Sequence, residues 1–284
     1  PRPSRTSRRP AGPPSRWAGD RGPRTHDLEE TGKDRTMELI WLGLLVALPA
    51  GYFALEGFDL GVGMLLPVLG RTRRDRDLMI AAIAPFVLAN EVWLVAAAGV
   101  LIGAFPLLEG KVLFGLYPLV VVMLLAWVLR DAGLWFRRRL DGDAWRTLWD
   151  AVIAAASLTL SLCWGMALYA ITTGFTAPLW HPLGLLLGVT LTLAFALHGR
   201  AFLGRRVPRF APGGNPALSA VLVPAPVLAV LAAAAPQLRG GAASPATLQM
   251  LSLLVLPFVP LLVAAQVWVW RTFRRGAGPV PSFF

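Results

Sequence analysis

The stretch LIWLGLLVALPAGYFALEGFDLGVGMLLP, residues 39–67, decides the fold. It is long enough to cross hydrocarbon as a helix, which takes about 20 residues at about 1.5 Å of rise each. Yet it carries two acids, Glu56 and Asp59, and no basic residue. An ionisable side chain at that depth costs about 2.5–3.5 kcal/mol on insertion scales, so its presence points to a function. Glu56 and Asp59 stand three residues apart and share a helix face. Gly57 and Gly61 form a small-xxx-small pair that lets a second helix approach closely.

Six further apolar windows follow, near 78–105, 112–135, 148–172, 180–203, 216–236 and 247–270. Each is long enough to span a bilayer, so the expected fold is an all-α polytopic membrane bundle of about seven transmembrane helices. Composition agrees: 56% of residues are hydrophobic, 15% are charged, and the mean hydropathy is +0.59, too apolar for an ordinary soluble domain. The formal charge of +11 does not build a nucleic-acid-binding face, because the basic residues fall in short turns between apolar windows. A lone cysteine, Cys163, excludes an intrachain disulfide and reads as a small core residue.

Residues 1–36 differ from the rest, being rich in Pro, Arg, Gly and Ser with almost no apolar periodicity. Such a segment buries too little surface to fold, so disorder is expected there. Met37, directly before Glu38-Leu39-Ile40-Trp41, reads as the natural start; a basic arm on anionic lipid is the other reading.

Arginines crowd alternate connections of the domain 37–284. They are Arg71, Arg73, Arg74 and Arg76 after the first window; Arg137, Arg138, Arg139 and Arg146 after the third; Arg200, Arg205, Arg206 and Arg209 around the end of the fifth; and Arg271, Arg274 and Arg275 at the C-terminus. Lys111 and Arg239 are the basic residues of the opposite connections. The positive-inside rule then puts the C-terminus in the cytoplasm and the Met37 end outside.

The first two windows form a hairpin around the arginine turn. Counting from Arg74, Asp59 lies about 15 residues back and Glu91 about 17 forward, so at about 1.5 Å per residue their depths nearly match. Asn90 and Trp93 add an amide and an indole donor beside Glu91. Two roles fit these acids: proton carriers, since carboxyls in low dielectric change protonation readily, or buried groups that serve assembly alone. Arg130 with Asp131, and Asp150 with Arg146, read as ion pairs at the membrane edge. Several tryptophans, among them Trp145, Trp149 and Trp268, read as belt anchors near span ends. Pro224, Pro226, Pro257 and Pro260 are expected to kink the last two helices.

Together these motifs resemble subunit II of the cytochrome bd quinol oxidases. The likeness runs through Gly57-Phe58-Asp59-Leu60-Gly61-Val62-Gly63-Met64, Leu69-Gly70-Arg71, Ile83-Ala84-Pro85, Asn90-Glu91-Val92-Trp93-Leu94 and Phe105-Pro106. It continues through Arg130, Phe136-Arg137, Trp145-Arg146, Leu148-Trp149-Asp150, Phe195-Ala196-Leu197-His198-Gly199, and on to Gln266-Val267-Trp268-Val269-Trp270.

The resemblance implies a multi-pass subunit of the bacterial plasma membrane that binds no cofactor itself. Its partner would be a haem-bearing subunit I holding haem b and haem d, which oxidises quinol and reduces dioxygen to water in a respiratory chain. Membrane lipid and a small single-helix accessory subunit are further implied partners, and nucleic acid is not. The histidines agree, because His26 lies in the tail, His181 at a loop edge and His198 at a helix end, where it would cap the helix, meet lipid headgroups or face the partner.

This chain departs from the family pattern in two ways. Between Pro85 and Asn90 the family has His, Trp, Asp and Gly, where this chain has Phe86, Val87, Leu88 and Ala89. That aspartate resembles part of a cytoplasmic proton route. Leu88 cannot carry a proton, so such a route relies on Asp59 with Glu56 or Glu91, runs through the partner, or is absent. The family also commonly has two more helices before the last. A proton-coupled secondary transporter or a membrane scaffold paralogue are the alternative functions, although no inverted repeat is evident.

Overall fold

The computed structural model describes residues 25–207, 209–210, 214–239 and 241–274. Tail residues 1–24 and Arg275 lie outside them. The described residues form eleven helices and no strand: α1 Thr25–Leu69, α2 Arg73–Ile83, α3 Val87–Ala104, α4 Pro106–Gly115, α5 Tyr117–Phe136, α6 Asp143–Thr172, α7 Pro182–Arg206, α8 Pro216–Leu222, α9 Ala225–Arg239, α10 Pro245–Val255 and α11 Phe258–Thr272. Seven stretches among them are long and apolar enough to cross a membrane: Gly32–Leu69, Val87–Ala104, Tyr117–Phe136, Asp143–Thr172, Pro182–Arg206, Pro216–Ala234 and Pro245–Thr272. The fold class is therefore an all-α polytopic membrane bundle.

Contacts divide the chain into two units, Pro1–Thr36 and Met37–Phe284. In the first, residues 25–36 are helical. Good helix formers such as Leu28, Glu29, Glu30 and Lys33 interrupt the Pro-rich composition there, and Thr36 Oγ1 back-bonds to the Gly32 carbonyl at 2.9 Å.

Within the second unit, proline divides what the hydropathy reads as continuous. A proline has no N–H to give and its ring crowds the preceding turn. Pro85 ends α2, a turn at Ala84–Phe86 closes with Phe86 N–H donating to the Ile83 carbonyl at 2.8 Å, and the second span begins only at Val87. The third window parts at Leu116, ahead of Pro118, the sixth at Val223–Pro224 and the seventh at Leu256–Pro257.

The α6 span is the most enclosed of the seven and packs along both α5 and α7. Small residues permit the closest crossings. Gly165 of α6 faces the Gly188 backbone of α7, and Gly61 of α1 faces Phe195 and Gly199 of α7, so that a Cβ at Gly61 would strike the Phe195 carbonyl. One apolar layer matters for the site. Val62 and Leu66 on α1, Met79 and Ile83 on α2, Leu134 on α5, Ile153 on α6 and Leu203 on α7 are buried together, with Phe58, Phe86 and Phe202 among them.

Candidate functional site

Three spans deliver the ionisable groups. Glu56 and Asp59 lie one turn apart on α1, Asn90 and Glu91 are adjacent on α3, and Arg130 comes from α5; all five are buried. Arg130 forks between helices, with Nη1 donating to Glu56 Oε1 and Nη2 to Glu91 Oε1. Its Nε donates to Asp131 Oδ1 at 3.1 Å. Glu91 accepts a second hydrogen bond at 2.7 Å from Trp127 Nε1, three residues before Arg130 on the same helix.

Asp59 is served from another direction. Asn90 Nδ2 donates to Asp59 Oδ2 at 2.6 Å and to the Leu55 carbonyl at 3.2 Å. Gln266 Nε2 on α11 donates to Asn90 Oδ1 at 2.8 Å, and Trp93 Nε1 donates to Gln266 Oε1 at 3.2 Å. An amide relay thus runs from α11 through α3 to α1.

Two acceptors remain. Glu56 Oε2 and Asp59 Oδ1 are buried with no hydrogen-bond partner, on carboxyls near enough for each charge to act on the other. Glu56 and Glu91 share one buried guanidinium with Asp131, and Asp59 has no cation of its own among the described residues, so full ionisation would leave excess negative charge in low dielectric, where an unpaired buried charge is costly. A proton shared between Glu56 and Asp59 would relieve that charge and give the bare oxygens a hydrogen bond. The arrangement is chemically suited to holding and exchanging protons.

The structure brings Glu56, Asp59, Glu91 and Asn90 into one cluster, with Trp93 in its outer chain. Trp93 serves Gln266, however, and the indole donor of Glu91 is Trp127. Gly57 and Gly61 both lie against Phe195 of α7. His198 neither caps α7 nor reaches the bundle's outer surface: it is buried, with Nδ1 2.7 Å from Ser219 Oγ and Nε2 3.0 Å from the Ala54 carbonyl. Arg130 makes the ion pair with Asp131 read from sequence and also turns inward to Glu56 and Glu91. Asp150 pairs with Arg76 at 3.1 Å and with Arg137, not with Arg146. Leu88 is exposed on α3.

A second charged network sits at the ends of α2 and α5 and the start of α6, where Arg137 bridges Asp77 and Asp150. Nearby, Asp75 closes a capping box at the start of α2, accepting from Thr72 Oγ1 at 2.7 Å and from Thr72 N–H at 3.0 Å. The Thr72 hydroxyl holds Asp75 below the ordinary carboxylate range against the effect of burial, and the Arg209 ion pair adds to this. Between this network and the carboxyl cluster lies the apolar layer: Leu134 separates Arg130 from Arg137, and Val62 and Leu66 separate Asp59 from the turn at Gly70.

Residues 37–235 match the family described as cytochrome bd terminal oxidase subunit II. The chain is similar to a probable cytochrome oxidase subunit 2 of Haemophilus influenzae, at 33% identity over 59% of this chain and 48% of that protein. Subunit 2 of the cytochrome bd-I ubiquinol oxidase of Escherichia coli K12 is 31% identical over 60% of this chain and 49% of its own length. Subunit 2 of the cytochrome bd ubiquinol oxidase of Bacillus subtilis is 34% identical over 59% and 53%. The chain spans about half the length of the curated relatives it matches.

Proposed function

The chain belongs to the cytochrome bd terminal oxidase subunit II family, and from that membership we propose that it is the haem-free, non-catalytic subunit of a bd-type quinol:dioxygen oxidoreductase. On this reading it docks laterally on a haem-bearing subunit I in a bacterial plasma membrane, with its arginine-rich ends in the cytoplasm. It stabilises that partner and handles protons for it. Haem b, haem d and the quinol belong to the partner.

One observation carries the proton-handling role: two buried carboxyls on a single guanidinium with a third, Asp59, held beside them by an amide, and two acceptor oxygens unsatisfied. Glu91, the least buried of the three acids, exchanges with the surroundings. Arg130 fixes Glu91 relative to Glu56, and the Glu56–Asp59 pair holds the proton. The amide relay from Gln266 keeps Asp59 in place. The engagement of both His198 ring nitrogens supports placing the haem elsewhere. Exposed apolar side chains on α10 and α11, among them Leu253, Phe258 and Trp268, supply surface for a partner or for lipid.

The test is to purify the complex through a tag on this chain and record its spectrum. Haem absorbance is the expected result, and a colourless lone protein overturns the reading. In the assembled complex Asp59→Asn should lower oxygen consumption by about tenfold or more at unchanged haem content. Unaltered turnover would make Asp59 structural.

A further inference from the structure

The second charged network encloses a cleft of about 280 Å³ into which Arg73, Arg76, Arg137 and Arg146 converge, with Asp143 and Asp150 between them. The carboxylates here are already committed. Asp150 uses one oxygen for Arg137 and the other for Arg76, and Asp77 accepts from Arg137 with Arg146 3.8 Å away. Asp143 is almost fully exposed and reaches only Arg73, at 3.6 Å. Asp141, fully exposed, lies 3.8 Å from Arg146 but does not line the cleft, so among the lining side chains four guanidinium groups face two carboxylates. Arg137 Nη2 and Arg146 Nε are buried without an acceptor, although the Arg137 side chain is 2% exposed.

A surplus of positive charge with unmet planar donors calls for a compact anion bearing several acceptor oxygens, and a phosphate group matches guanidinium forks in geometry and charge. The setting narrows the source. Arg137 directly follows the last residue of the α5 span, and Phe136, Leu140 and Leu148 are exposed apolar neighbours. Trp145 donates its indole N–H to the Phe136 carbonyl at 2.9 Å, as a side chain at the headgroup level does. We propose that this cleft is a phosphate-binding site, filled by the headgroup of an anionic phospholipid whose acyl chains lie along the apolar rim. The bound phosphate ties α2 to the α5–α6 turn.

Thermal unfolding of the full chain, purified and delipidated in a neutral detergent, tests this. Phosphatidylglycerol, phosphatidylcholine and inorganic phosphate are titrated separately, and lipid adducts are counted by native mass spectrometry. Three variants accompany the wild type: Arg146→Gln and the more exposed Arg73→Gln within the cleft, and Arg139→Gln, an exposed charge in the same turn outside it. Phosphatidylglycerol should raise the unfolding temperature and leave an adduct. Arg146→Gln and Arg73→Gln should need at least about fivefold more lipid for the same shift, and Arg139→Gln should match wild type. If inorganic phosphate gives the same variant-dependent shift, the site stands with a free anion as its ligand. If phosphatidylcholine protects equally, or if the cleft variants respond as Arg139→Gln does, the proposal is overturned. Should Arg146→Gln fail to fold, Arg73→Gln decides between these outcomes alone.

Discussion

Removing the Arg130 guanidinium would strand two carboxylates, because Glu56 Oε1 and Glu91 Oε1 both accept from it across two helix interfaces. Arg130→Gln is expected to destabilise the chain by about 3–5 kcal/mol, seen as a lower midpoint in thermal denaturation. Adding Glu56→Gln and Glu91→Gln should recover part of that loss, since neutral amides do not need the missing charge. Strict additivity would mean the three groups do not act on one another. The acids of this cluster were legible in the sequence because ionisable residues are rare inside apolar windows. Arg130 was not, since it lies near the end of its window beside Asp131, which offered a ready local partner. Gln266 was legible only as part of the run Gln266 to Trp270, with nothing to name its partner: only the fold brings it to Asn90 across 176 positions of chain.

Helices meet where their side chains are smallest. Gly61→Ala places a Cβ against the Phe195 carbonyl of α7, a backbone atom that cannot swing aside, whereas a Cβ at Gly99 meets nothing within 4 Å. Gly61→Ala should therefore lower the unfolding temperature. Gly99→Ala should leave it unchanged or raise it, because alanine favours a helix over glycine by up to about 1 kcal/mol. The start of α2 responds to acid. Asp75 titrates below its unfolded value of about 3.9, so its contribution is complete above that value and is lost as pH falls through the lowered folded one. Asp75→Asn should cost about 1 kcal/mol near pH 7, a difference that shrinks only once the pH falls below about 3.9, in stability curves taken from neutral into acid. Hydropathy located the apolar windows but did not show where proline divides them, because a window average is blind to one missing N–H. That is why the span expected from residue 78 begins only at Val87, after the break at Pro85.

For the molecule as a whole, the all-α bundle followed from length and hydropathy alone, while lateral neighbours depended on contacts such as Gly165 with Gly188 that spacing merely permits. The proposed orientation is open to direct measurement. A membrane-impermeant thiol reagent should label Leu140→Cys from the cytoplasmic side only and Gly110→Cys from the external side only; the native Cys163 is buried and contributes little background. Reversed labelling would refute the orientation. The apolar layer of Val62, Leu66, Leu134 and Ile153 has an electrical consequence. Apolar along α1, α5 and α6, it behaves as a thin insulator between two charged networks, with Arg130 and Arg137 about 10 Å apart along α5. Part of the membrane voltage must drop across such a slab, at about 2.3 kcal/mol per elementary charge for each full 100 mV traversed. A proton crossing it inside this chain would do work against that field or draw work from it, in proportion to the share of the voltage that falls there.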